Sequence, residues 1–165
     1  MAADFRRCAS EFRVSNFQFP TPTPMSQSRH SPNGEPINVL FVCFGNACRS
    51  QMAEALANQL GRDRVQAWSA GTHPLGWIPS ETHDVLGEKG ISLDGHRSKG
   101  LKDVPLSEMD VVVDMEAGLI GTLPENFMGR LIEWDIPDPF ARDVEVFRAV
   151  RDLIEEHLKA LLAEV

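Results

Sequence analysis

The chain is expected to fold as an α/β protein, with a four-stranded parallel sheet in three layers and helices on both faces. Three features lead there. Four short runs rich in β-branched and apolar residues are too brief to be helices. Longer stretches between and after them carry apolar residues at helical spacing. The two kinds of segment alternate, as in successive βαβ units, and such units place strands parallel.

Each element has its own warrant. INVLFVC, Ile37 to Cys43, is the nearly continuous apolar run of a buried strand. From Arg49 to Leu60, residues Met52, Ala53, Leu56, Ala57 and Leu60 form a helical stripe, with Gly61 as its cap. Val65–Trp68 is a second strand. Ser80–Lys89 is a helix stopped by Gly90, Asp110–Asp114 a third strand and Leu131–Glu133 a short fourth. Asp143–Leu162 places Phe147, Val150, Ile154, Leu158 and Leu161 on one face of a long amphipathic helix. Ligands of such sheets sit at the carboxyl ends of strands, near a switch in strand order.

Residues 1–36 differ. They hold Pro20, Pro22, Pro24, Pro32 and Pro36, several serines and no sustained period. Too little apolar surface is available to offset the entropy of ordering them, so they are expected to be a disordered or non-native extension before a domain at 37–165. Met25 offers an alternative start of translation, and Phe5, Phe12, Phe17 and Phe19 a short docking segment. The composition, 42% hydrophobic and 24% charged, suits one soluble domain. No apolar run approaches the ~20 residues of a membrane helix, and the first thirty residues lack a secretory segment. A net charge of -8 argues against nucleic acid. Three cysteines give no disulfide framework, which points to a reducing, cytoplasmic home.

The segment VCFGNACRS, Val42 to Ser50, lies where the first strand ends and the first helix begins. Gly45 and Asn46 tolerate left-handed backbone, so the loop over Phe44, Gly45, Asn46, Ala47 and Cys48 can curl its amides inward. Such amides form an anion nest, and the helix adds its positive end. A tetrahedral oxyanion is the natural occupant. Cys43 would lie at the floor, and Arg49 can close the ring with a bidentate fork. The same positive field favours a thiolate, placed for in-line attack at phosphorus. Alone, Cys43 would read as a small core residue; the joint pattern of strand, Cys, Gly-Asn, Arg and helix start reads as a site.

VLFVCFGNACRSQMAEAL closely resembles the opening of low-molecular-weight protein tyrosine phosphatases and of the arsenate reductases that share their fold. The likeness continues through SAGTHP (Ser69–Pro74), GISLDGHRSK (Gly90–Lys99) and WDIPDPF (Trp134–Phe140), so it covers Ile37 to the C-terminus. It implies a phosphocysteine intermediate, no metal and no cofactor, with a phosphorylated protein or small phosphomonoester as substrate. The residues alone leave Asp135 and Asp138 as rival general acids. The family's Asp-Pro motif favours Asp138, with Pro139 stiffening the loop. By the same likeness Ser50 donates to the sulfur, and Asn46, Ser69 and His96 brace the loop. The likeness also implies that Cys48 can form a reversible disulfide with Cys43. His73, His83 and His157 show no metal-ligand spacing.

Some residues depart from that pattern. Ala47 replaces a bulky apolar residue or a threonine, Phe140 stands where a tyrosine is common, and Gln51 replaces a proline. CRSQMAE is a version frequent in arsenate reductases. A reductase needs further thiols, yet no cysteine follows Cys48 and Cys8 lies in the tail. A reductase reading therefore needs an external thiol or a glutaredoxin-type partner. A non-catalytic phosphoanion adaptor on the same fold would lack Cys43, Arg49 or the Asp-Pro aspartate; all three are present.

Overall fold

The computed structural model describes residues 34–116, 118, 123–125 and 127–165. Cys8, Met25 and the phenylalanines of the extension lie outside them. In chain order the elements are β1 (Ile37–Cys43), α1 (Arg49–Gly61), β2 (Val65–Gly71), α2 (Ser80–Gly87), β3 (Val111–Asp114), β4 (Arg130–Glu133) and α3 (Val144–Glu164). The four strands form one parallel sheet in the order β2-β1-β3-β4. The chain leaves β1 for β2 on one side and later returns to place β3 on the other. The strand order therefore switches at β1, and Cys43 is its last residue.

β2 runs three residues beyond the expected Trp68. Ser69, Ala70 and Gly71 have little strand preference of their own, but parallel pairing with β1 carries the ladder to Cys43 opposite Gly71. α2 closes two residues early, because Glu88, Lys89 and Gly90 donate to carbonyls in turns, with Gly90 at a φ of 71°. Asp143 caps α3 by accepting from the Val146 amide at 3.1 Å.

Alternation along β1 assigns its side chains to two layers. Val39, Phe41 and Cys43 face α1, α2 and α3, joining Met52, Leu56, Val85, Phe147, Ile154 and Leu158 in the larger core. Leu40 and Val42 face the other way, with Ala70, Val104, Met109 and Val112. Among the described residues that second face is covered by two 3₁₀ turns, Leu101–Asp103 and Leu106–Glu108, and by the chain entering β4. Such turns leave no helical period in a sequence. No helix among the described residues is long and apolar enough to cross a membrane.

Beyond the core, α2 is clasped to α3 by charge. Glu88 accepts from Arg148 Nε at 2.9 Å and Arg151 Nη1 at 2.7 Å. These bonds lower its carboxyl to about 2 from an ordinary 4.5. A carboxyl depressed in the folded state stabilises above its unfolded value, and that contribution is lost as pH falls through the folded one. Glu88→Gln should therefore lower the melting temperature at pH 7. The gap to wild type should close between pH 4.5 and about pH 2, and high salt should narrow it, because Glu88 meets Arg148 at the surface although Arg151 is buried. Melting curves across pH at two salt concentrations check this; a gap independent of pH would rule out the clasp.

Candidate active site

The loop from Cys43 to Ser50 hangs from the end of β1 and feeds α1. Asn46, not Gly45, takes the left-handed conformation, with a φ of 46°. The loop presses on the end of β2. A Cβ on Gly71 would stand 2.7 Å from the Phe44 carbonyl and 2.8 Å from the Asn46 amide, so only glycine fits there. In return the amides of Thr72, His73 and Leu75 donate to the carbonyls of Cys43, Phe44 and Gly45. Cys48 occupies the position before α1 without a side-chain cap. The first amides of α1 thus have no capping side chain, as at helix ends that receive anions.

Beneath the loop lies a polar cluster built on Asn46, whose side chain is fully buried. Its Nδ2 donates to Ser50 Oγ and to Ser69 Oγ, both at 2.9 Å. Because Ser50 accepts from Asn46, its own proton is free for Cys43 Sγ at 3.0 Å. Asn46 Oδ1 accepts from the Lys99 amide at 2.8 Å and from Gln51 Nε2 at 2.9 Å. Ser69 donates to Glu54, and Lys99 Nζ lies 3.2 Å from both Glu54 Oε2 and Ser69 Oγ. His96 meets the cluster through Nδ1, which lies 2.9 Å from Gln51 Oε1 and 3.7 Å from Glu54 Oε2. Burial pushes the His96 pKa below its usual value.

Arg49 is nearly buried and holds four acceptors. Nη1 donates to the Met115 carbonyl at 2.6 Å and the Ile136 carbonyl at 3.3 Å. Nη2 donates to Glu116 Oε2 at 2.8 Å and Asp138 Oδ2 at 2.7 Å. A guanidinium has five N–H groups, so these bonds occupy all but the Nε hydrogen. Asp138 also accepts from the Phe140 amide at 3.0 Å, a turn across Pro139.

Cys43, Phe44, Gly45, Ala47, Cys48, Arg49 and Asp138 line one open pocket. Of the residues expected to meet the anion, Asn46 does not line it; its side chain is turned below the loop. Ser50 and Ser69 likewise lie beneath, at 0% exposure. Asp135 lines a neighbouring cavity that does not include Cys43. Burial pushes the Cys48 thiol up to about 12, so it is protonated at neutral pH. Phe44, Trp77 and Phe140 stand exposed; Phe44 stacks on His73 at 4.6 Å and Trp77 meets Phe140 at 6.1 Å.

The sequence reading assigned no place in the site to four residues that meet the loop or its arginine: Gln51, Glu54, Lys99 and Glu116. Gln51 and Glu54 belong to the predicted helix, where polar residues are ordinarily solvent-facing. Lys99 and Glu116 lie in loops whose approach no local pattern encodes.

A curled loop headed by cysteine, followed by arginine at the start of α1 and set at the switch point of a parallel sheet, gives this α/β protein its candidate active site. The chain belongs to the low molecular weight phosphotyrosine protein phosphatase family, whose model matches residues 38–165. A glutaredoxin arsenate reductase of Synechocystis sp. is 32% identical over 77% of this chain and 97% of its own length. The low molecular weight protein-tyrosine-phosphatase YfkJ of Bacillus subtilis is 32% identical, over 78% of this chain and 96% of its own. The YwlE arginine phosphatase structure from Geobacillus stearothermophilus superposes with a TM-score of 0.70 at 33% identity, over 78% of this chain and 92% of that one.

Proposed function

We propose that the protein is a cysteine-dependent phosphomonoesterase that works through a phosphocysteine intermediate. The observation that carries this reading is one pocket lined by Cys43, Arg49 and Asp138 together, with Ser50 3.0 Å from the sulfur. The Cys43 thiolate attacks phosphorus, and the bond to the ester oxygen breaks. Asp138, in its acid form, passes its proton to that oxygen, so the alcohol leaves neutral. Loop amides and Arg49 hold the three remaining oxygens. For Arg49 to grip them with a fork, one Nη2 hydrogen must leave a carboxylate. Asp138 is the exchangeable partner, being about half exposed while Arg49 is buried. The exchange also frees Asp138 to reach the leaving group. Water then attacks the phosphocysteine and gives its proton to Asp138, and Ser50 stabilises the departing thiolate.

The exposed Phe44, Trp77 and Phe140 at the rim support an aryl or aromatic phosphoester, on a protein or as a small molecule. A thiolate nucleophile favours a reducing, cytoplasmic setting. Cys48 supports a protective role: its thiol condenses with a Cys43 sulfenic acid, releasing water and forming a disulfide that external thiol reduces. Cys48→Ser should keep ordinary turnover but make inactivation by peroxide irreversible to dithiothreitol; full recovery would remove that role.

Asp138→Ala should slow hydrolysis of an alkyl phosphate about 10²- to 10⁴-fold, the usual contribution of a general acid. Para-nitrophenyl phosphate should suffer much less, since its leaving group needs little protonation. Equal losses on both would count against the assignment. The second reading, arsenate reduction through an external thiol or glutaredoxin-type partner, is supported by Cys48 in the same pocket as Cys43. Parallel assays in EDTA, one for nitrophenol release and one for arsenite production with dithiol, glutathione–glutaredoxin or mycothiol systems, separate the two.

A further inference from the structure

We infer that Gln51 is a positioning residue: its carboxamide locks the phosphate loop in the shape that receives the oxyanion and orients Ser50 on the nucleophile. This inference rests on the phosphoryl-transfer reading above. Gln51 is fully buried in the first turn of α1, where a free amide would be costly. Its Nε2 faces acceptors alone: the Asn46 carbonyl at 3.1 Å, Asn46 Oδ1 at 2.9 Å and the Arg97 carbonyl at 3.0 Å. That set fixes which end of the amide is nitrogen. Oε1 therefore accepts from His96 Nδ1 at 2.9 Å, so the imidazole carries a hydrogen on that atom. One side chain thus joins the loop, α1 and the 96–99 segment.

The consequence runs through Asn46. Its backbone is held at a φ of 46°, a left-handed conformation that asparagine tolerates better than most residues with a side chain. Gln51 Nε2 lies within hydrogen-bond distance of both the Asn46 carbonyl and Asn46 Oδ1, its two hydrogens being shared among these and the Arg97 carbonyl. With Oδ1 held by Gln51 and by the Lys99 amide, Nδ2 must point to Ser69 and Ser50. Ser50 then turns its proton to Cys43 Sγ. Loss of the carboxamide would leave the Asn46 carbonyl without this donor, loosen the nest and relax the Ser50–Cys43 bond.

The test compares wild type with Gln51→Met, which keeps volume without polar atoms, and Gln51→Glu, which keeps the acceptor for His96 but loses the donor. Three readouts are used: inhibition by inorganic phosphate, the pH midpoint of Cys43 alkylation by iodoacetamide, and the thermal midpoint. Gln51→Met should raise the phosphate inhibition constant and lower kcat by about tenfold each, the scale of one unsatisfied buried acceptor. Its alkylation midpoint should rise. Gln51→Glu should show the same losses, shrinking relative to wild type as pH falls and the protonated carboxyl regains one donor. If Gln51→Met fails to fold, Gln51→Glu decides by the same readouts. A lower thermal midpoint with unchanged phosphate inhibition and alkylation would reduce Gln51 to a packing role and overturn the inference. Wild type that neither hydrolyses a phosphoester nor is protected by phosphate from Cys43 alkylation would instead sink the functional reading itself.

Discussion

Cys43→Ser should abolish hydrolysis of para-nitrophenyl phosphate while leaving inorganic phosphate binding intact. The expected fall in kcat is at least about 10⁴-fold, as when a nucleophile is removed from groups that act as a unit. A serine hydroxyl at this position would be a far weaker nucleophile than a thiolate, and the Ser50 hydroxyl, which lies 3.0 Å from the sulfur, is no general base to activate it. Phosphate binding should persist because the nest is made by backbone amides and Arg49, which the substitution leaves in place. Steady-state kinetics with calorimetric phosphate titration check both halves. Turnover near the wild-type rate would exclude Cys43 as the nucleophile; lost phosphate affinity would show that sulfur shapes the nest as well as attacking.

Arg49→Lys should lower kcat/KM by roughly 10²- to 10³-fold, the scale for losing a preorganised donor to transition-state charge. Charge is retained, so the loss would report geometry. Lysine offers three hydrogens from one point and cannot span the Met115 and Ile136 carbonyls, Glu116 and Asp138 as the planar guanidinium does. Phosphate should bind more weakly in proportion, and the thermal midpoint should fall because buried acceptors lose their donor. A variant with wild-type phosphate affinity would place Arg49 in a structural role, holding the segments after β3 and β4 together and no more.

These two residues were the easiest to find for a physical reason. Cys43 and Arg49 sit at the ends of one short loop between an unmistakable strand and an unmistakable helix, so spacing alone brings them together. Gly71 was harder. Nothing in SAGTHP says that its missing Cβ makes room for the Phe44 carbonyl; that depends on the register between β1 and β2. Gln51 was harder still, since a glutamine in a first helical turn is usually solvated and only the fold buries it.

The amino-acid sequence by itself determined the alternation of strands and helices, the buried character of β1, and the loop chemistry between Cys43 and Ser50. All of these are local: they follow from periodicity, turn residues and side-chain type over a dozen residues or fewer. Only the tertiary structure decided that Asp138 rather than Asp135 shares the Cys43 pocket, 89 residues along the chain from Arg49. It also decided that three α-helices share one face, and that Glu54, Lys99 and Glu116 meet the loop and its arginine. Such meetings depend on how the crossovers return to the sheet, and loop closure over tens of residues leaves no mark in local composition.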